Sequence, residues 1–323
     1  MKTLHAAVIA AIVALGAPAA AQDFPNKPMT MVIPFAAGGP TDVLGRVVAQ
    51  RMGEILKQTV LVENIGGAGG MTGVKRVAEA RPDGYSFVLG TVGTHAQNQT
   101  LYAHPAYNAA TDFTPVGLIA EVPIVLIVRK DLPASNLQEF VAYAKANQSK
   151  MQFGSAGAGS ATHLGCVVLN SAMGVNIVHV PYKGTGPAMQ DLVAGRIDYL
   201  CEIISTAKAQ IDGGNVKALA IMTKTRSPVE PNVPTAAEQG LDVQAYTWNA
   251  VFLPKGAPEA VVKKLNDAIV ETIKTPAVRE RLESLGAQLV TPDRTSPQYL
   301  GQFVRSEIEK WAAPIKASGV TVN

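Results

Sequence analysis

The sequence predicts an α/β fold in two lobes, and three observations carry this. A strand, a glycine-rich loop and a helix follow one another repeatedly along the chain. The 323 residues exceed one ordinary domain. Hydrophobic residues make up 47% of them, enough for two cores.

The elements follow in order. Residues 29–34 (MTMVIP) form a short β-rich run, and a glycine-rich loop occupies 35–40. Over 42–57 the apolar residues Val43, Leu44, Val47, Val48, Met52, Ile55 and Leu56 share one helical face. Thr41 or Asp42 is the natural N-cap of that helix. A strand is expected at 60–63, then the loop 64–70 (NIGGAGG), a helix to Ala80, and a strand at 85–89. The middle of the chain repeats the pattern. A strand at 151–153 precedes the loop 154–159 (GSAGAG) and a helix from about Ser160. A strand at 177–180, a helix at 187–194 opened by Pro187, and strands at 197–201 and 217–222 follow. This order implies a mainly parallel sheet. The apolar stretches 122–128 and 250–253 are candidates for strands that cross between the lobes. Segments 258–274, 276–285 and 296–317 are amphipathic helices, suited to cap the first lobe.

Residues 1–21 read as an export signal. Lys2 is followed by an apolar run from His5 to Gly16 and by Ala19-Ala20-Ala21, which places the mature start at Gln22. The run is shorter than the roughly 20 residues of a spanning helix. An uncleaved anchor is the alternative reading. No cysteine near the cleavage site suggests a lipoprotein. The formal net charge is +3, and without Lys2 it is +2. Neither a basic run nor a basic stripe with aromatics is present, so nucleic acid is not an expected partner. Cys166 and Cys201 are either a disulfide or two buried thiols, and they lack zinc-site spacing.

The two glycine loops carry the strongest local chemistry. Each follows a strand and opens a helix, which places free backbone N–H groups and the positive end of a helix dipole at one spot. A carboxylate suits such a cradle; a plain tight turn is the alternative. Thr41 beside the first loop, and Ser155, Ser160 and Thr162 in the second, favour binding. Neither loop ends in Gly-Lys-Ser/Thr, and Thr72 and Thr162 stand where a dinucleotide fingerprint needs its third glycine. The nucleophile elbow G-x-S-x-G is absent at Ser155 and at Ser160. His95, His104, His163 and His179 have no metal-ligand spacing, and neither a metal nor a cofactor is expected. A Ser160–His163 hydrolase is the remaining enzymatic alternative.

Several ordered stretches resemble a known family. They are Phe24-Pro25-Asn26-Lys27-Pro28, then 34–42 (PFAAGGPTD), Val62-Glu63-Asn64 with 66–70 (GGAGG), and Pro82-Asp83-Gly84-Tyr85. The most specific is 178–184 (VHVPYKG), continued by Pro187-Ala188, Asp191-Leu192 and Gly195-Arg196-Ile197-Asp198; Val233-Pro234-Thr235, Glu238 and Gly240 also match. Over 23–320 the chain resembles the Bug family, the periplasmic solute receptors of tripartite tricarboxylate transporters.

That resemblance implies a type II periplasmic-binding-protein (Venus flytrap) fold, with mixed sheets flanked by helices and two crossing strands at the hinge. The expected division is 22–121 with 249–323 against 122–248. The resemblance implies a periplasmic, monomeric receptor that is not an enzyme. Its ligand would be a small carboxylate: a di- or tricarboxylate, an acidic amino acid or an aromatic acid. Its partners would be the transporter's membrane subunits, with a sensing module as the alternative. By position, the first loop offers Phe35, Ala36, Gly38, Gly39, Thr41 and Asp42 to the ligand, and the second offers Ser155, Ala156, Gly159, Ser160, Ala161 and Thr162. Further cleft candidates are Thr91, His95, Tyr182, Glu202 and Trp248; loop packing is the alternative for Tyr182, and hinge structure for Glu202 and Trp248. One departure is Pro40, where many members carry another glycine; proline removes one N–H from the cradle.

Overall fold

Apolar strands with short glycine turns must bury both faces, and helices on each side provide the cover. The computed structural model describes residues 24–322, so the expected export signal lies outside the described residues. In the first lobe, β1 (Met29–Ile33), β2 (Val60–Asn64) and β3 (Ser86–Thr91) are parallel, with β1 in the middle. Helices α1 (Pro40–Leu56) and α2 (Met71–Ala78) make the crossovers. A π-turn, Gly93–Gln97, and a single helical turn, Asn98–Leu101, follow β3.

Then comes β4 (Phe113–Arg129), 17 residues long and spanning about 55 Å. Most of its residues are buried, which is why its sequence is apolar without alternation. Its second half enters the other lobe, where α3 (Leu137–Asn147), β5 (Gln152–Ser155), α4 (Ala161–Met173) and β6 (Val178–Pro181) follow. Next are α5 (Thr185–Val193), β7 (Tyr199–Ile203), α6 (Ile204–Asp212) and β8 (Val216–Ile221). Strands β6, β5 and β7 are parallel, whereas β7 and β8 run antiparallel to β4 from Ile124 onward.

The chain returns through β9 (Tyr246–Pro254), which lies antiparallel between β3 and β4. Helices α7 (Glu259–Lys274) and α8 (Pro276–Ser284), the short β10 (Gln288–Leu289) and α9 (Pro297–Ala317) complete the chain. α7 packs on α1 and β4, and α9 packs on β4 and the π-turn. The sheets are therefore mixed, and the expected mainly parallel character holds only within β2-β1-β3 and β6-β5-β7. β4 and β9 break it because a chain that goes out and comes back runs in both directions.

The structure settles the cysteine question left open by the sequence. Cys166 of α4 and Cys201 of β7 form a disulfide with Cα atoms 5.3 Å apart, 35 residues apart in sequence. It ties the helix behind the second glycine loop to the central strand of its lobe. Replacing both cysteines by alanine is expected to cost about 3–4 kcal/mol, read as a lower denaturant midpoint in urea unfolding. An unchanged midpoint would show that the crosslink does not limit the unfolded chain.

Candidate functional site

Four helices begin at one place between the lobes. Gly39 caps α1, Ser160 caps α4, Gly184 caps α5 and Ile203 caps α6. They border about 330 Å³ of open space, part of it continuous with solvent, lined by Phe35, Gly39, Pro40, Thr41, Thr91, Ala156, Ser160, Ala161, Thr162, Thr185, Ile203 and Thr247. Among the described residues, no Lys, Arg, His, Asp or Glu lines this space. Its polarity comes from hydroxyls and from first-turn amides. The N–H groups of Thr41 and Asp42 in α1, and of Ala161 and Thr162 in α4, precede the first intrahelical bond. The two pairs come from opposite lobes, and each adds the positive end of a helix dipole.

The second loop is held open by its own hydrogen bonds. The Thr162 hydroxyl accepts from the Ala156 amide at 3.0 Å and lies 3.1 Å from the Ser160 hydroxyl. Ser160 donates to the Gly157 carbonyl at 2.7 Å and accepts from the His163 amide. Ser155 is fully buried, meets His179 Nε2 at 2.7 Å and accepts from the Gly157 amide, so it braces the loop from behind. Gly159 has φ of +85°, and a Cβ there would strike the Asn98 side chain of the other lobe. The Gly159 amide donates to His163 Nδ1 at 3.2 Å.

That last bond removes the Ser160–His163 hydrolase. The imidazole points to the Gly159 amide and not to the Ser160 hydroxyl, and burial pushes His163 down to about 3, with His179 adding to the shift.

The first loop is braced by Asp42 rather than presenting it. The Asp42 carboxylate accepts from the Gly38 amide at 2.9 Å, Asn64 Nδ2 at 2.9 Å and Arg46 Nε at 3.0 Å. Burial alone raises this carboxyl, but the bonds from Arg46, Gly38 and Asn64 outweigh it and hold it below its ordinary value. The Asp42 side chain is thus spent inside the loop, and the residue stands just behind the cavity lining.

Other expected ligand contacts lie elsewhere. Ala36 and Gly38 stand just outside the cavity; the Ala36 amide donates to the Lys183 carbonyl of the opposite lobe at 3.0 Å. His95 is fully buried beneath the cavity, stacked on Phe252 with ring centres 3.9 Å apart and edge-on to Phe113. Desolvation there pushes it down to about 3, so it is a neutral core ring. Tyr182 turns outward and donates to Asp191 at 2.7 Å. Trp248 is hinge structure, its indole N–H bound to Glu307 at 3.1 Å. Glu202 is fully buried behind Thr185. The sequence reading missed Thr185, Ile203 and Thr247. For Thr185 a signal was available: it follows Lys183-Gly184 at a helix start, the same grammar as Gly39-Pro40-Thr41.

The lobes are closed on one another. Besides the Ala36–Lys183 bond, the Tyr102 hydroxyl donates to the Ala158 carbonyl at 2.9 Å. A Cβ on Gly66 would lie 2.5 Å from the Lys183 carbonyl oxygen, so the rims are in van der Waals contact.

Residues 44–320 match the tripartite tricarboxylate transporter family receptor. The chain belongs to this family. Its members are solute-binding receptors and not enzymes. The receptor superposes on the periplasmic binding protein BugD with a TM-score of 0.89 and 40% identity, over 92% of this chain and 99% of that one. It superposes on MatC from Rhodopseudomonas palustris, solved with bound malate, with a TM-score of 0.88 and 41% identity, over 90% of this chain and 100% of that one. It superposes on Rpa4515 of R. palustris, solved with adipate, with a TM-score of 0.88 and 34% identity, over 93% and 99%. Among the described residues, no helix is long and apolar enough to cross a membrane.

Proposed function

We propose that this receptor is exported to the periplasm, traps a small aliphatic dicarboxylate between its lobes and delivers it to a tripartite tricarboxylate-type membrane transporter. The observation that carries this is the convergence of the α1 and α4 amide ends, one from each lobe, on a cavity without charged side chains. The Thr41 and Asp42 amides hold one side of the ligand, and the Ala161 and Thr162 amides hold the other. Thr91 and Thr247 add hydroxyls that fix its orientation, whereas the Ser160 and Thr185 hydroxyls already donate to the Gly157 carbonyl and to Glu202. A carboxylate gains charge-assisted bonds from these donors, each contributing about 1.5–3 kcal/mol where water is excluded. Malate in MatC and adipate in Rpa4515, both on closely superposing chains, support a chain of four to six carbons with a carboxylate at each end. Of the division expected from the sequence, 122–248 moves as one body and 22–121 with 249–323 as the other. Closure drives delivery only because the ligand binds the closed form better than the open one.

The test uses residues 22–323, refolded from denaturant to strip any carried ligand. Melting is followed with malate, succinate, adipate, citrate, glutamate and benzoate. A dicarboxylate at 100 times its Kd should stabilise the protein by about 2.7 kcal/mol. Stabilisation by benzoate or glutamate alone would move the ligand class, and no shift with any of the six would reject the carboxylate reading. Delivery is tested by transport in vesicles carrying the membrane subunits, with and without the receptor.

A further inference from the structure

Glu202 is out of place beside a cavity suited to anions. It stands on β7, next to Ile203, which caps α6 and lines the cavity. Its side chain is fully buried. Oε1 accepts from the Thr185 hydroxyl at 3.0 Å and the Thr206 hydroxyl at 2.8 Å. Oε2 is buried and has no hydrogen-bond partner among the described residues. Thr185 itself lines the cavity, so one hydroxyl separates this carboxyl from the ligand space.

Among the described residues, no cation compensates Glu202 from any element packed against it. On β4, Glu121 and Arg129 are paired with Arg294 and Asp198. On α5, Asp191 is held by Arg196 and Tyr182, and Lys183 just before that helix is exposed. On α6, Lys208 is tied to Asp212 and Glu230. On α4, the only ionisable group outside the disulfide is His163, which burial keeps neutral. β5 carries no ionisable residue, and across the cleft Asp42 is bound to Arg46. A second negative charge arriving beside an ionised Glu202 would meet repulsion in a medium that screens it poorly.

We infer that Glu202 makes capture proton-linked: the closed, occupied receptor holds it as the neutral acid, with the proton on Oε2. This rests on the carboxylate-receptor reading above. Desolvation already pushes the group up to about 7 in the closed protein, against the hydrogen bonds from Thr206, Thr185 and the Ile203 amide. An anion alongside raises it further. In the open receptor, water reaches the cleft and Glu202 returns towards its ordinary value. Between the two values, closure on an anion takes up one proton. Within that window affinity falls about tenfold per pH unit as pH rises. Below the ordinary carboxylate range both forms are protonated and the dependence disappears.

Malate binding to residues 22–323 is measured by calorimetry at pH 6.5 in two buffers of different ionisation enthalpy. The buffers should reveal uptake of close to one proton per malate, and Glu202→Gln should bind with uptake near zero. Thr206→Val keeps the acid but removes a hydroxyl that favours its anion, so its uptake should persist to higher pH; this holds even if Glu202→Gln does not fold. Malate heat without proton uptake in the natural chain would overturn the inference and leave the carboxylate reading standing. Undiminished uptake in Glu202→Gln would overturn it too. No heat with either malate or adipate would overturn both.

Discussion

Gly93→Val is expected to weaken malate binding roughly 100-fold while leaving the melting temperature of the unliganded protein unchanged. Gly93 opens the π-turn of the first lobe. A Cβ there would lie 2.8 Å from the Gly159 carbonyl oxygen, 3.0 Å from the Ala161 nitrogen and 3.1 Å from the Ser160 Cα. All three atoms belong to the second lobe, and the Gly93 φ is one that other residues adopt freely. The nearest atoms a Cβ would meet therefore all belong to the lobe that closes onto it. Two of those atoms also belong to the α4 cradle, so the same collision moves a proposed ligand donor. Overpacking of this kind costs about 1–3 kcal/mol, and its upper end gives the 100-fold loss. Gly93→Ala should fall between the two. Calorimetry reads the affinity, and melting of the unliganded protein separates blocked closure from misfolding. Unaltered malate affinity in Gly93→Val would mean that this closed arrangement is not the bound one.

The largest loss of stability is expected from Glu307→Ala, about 3–5 kcal/mol in urea unfolding. Glu307 sits on α9, almost fully buried, and binds three aromatic donors. Its Oε2 accepts from the Trp248 indole at 3.1 Å and the Trp311 indole at 3.3 Å. Its Oε1 accepts from the Tyr246 hydroxyl at 2.7 Å and pairs with Lys310 at 3.3 Å. Tyr246 and Trp248 lie on β9 where it leaves the second lobe, so one carboxylate fastens the C-terminal helix to a crossing strand. Alanine strands two buried indole N–H groups as well as the phenol. Glu307→Gln keeps one acceptor oxygen and should lose about half as much. A loss under about 1 kcal/mol for Glu307→Ala would show that water replaces the carboxylate without cost.

The βα units were legible because their grammar is local. Strand, glycine and N-cap fall within a few residues of one another, as at 29–42 and 151–162. The crossing strands were only half legible. The first half of β4 contains Pro115 and Gly117, which do not suit a strand interior, and the register shifts near Pro115 and Leu118 absorb them. α3 and α6 had no glycine loop to announce them. α6 follows β7 with no intervening residue, so no loop marks where it begins. At the site, loop amides were predictable from position, but side-chain direction was not. Asp42 and His95 are polar residues next to cavity elements, yet Arg46 and Asn64 engage one and Phe252 covers the other. Such partners come from distant parts of the chain, where spacing carries no information.

The fixed dipoles at the mouths of α1 and α4 have a consequence for where such a receptor can work. A site that held its ligand with exposed lysines or arginines would weaken as ionic strength rose, because small ions compete for both partners. Backbone amides sheltered between two lobes offer salt no comparable target. Long-range attraction of the anion is given up in exchange, since a neutral lining casts little field into solution. If the proposed amides hold the ligand, capture proceeds at similar strength in dilute and in saline surroundings, and selectivity falls to the shape of the cavity and the number of its donors.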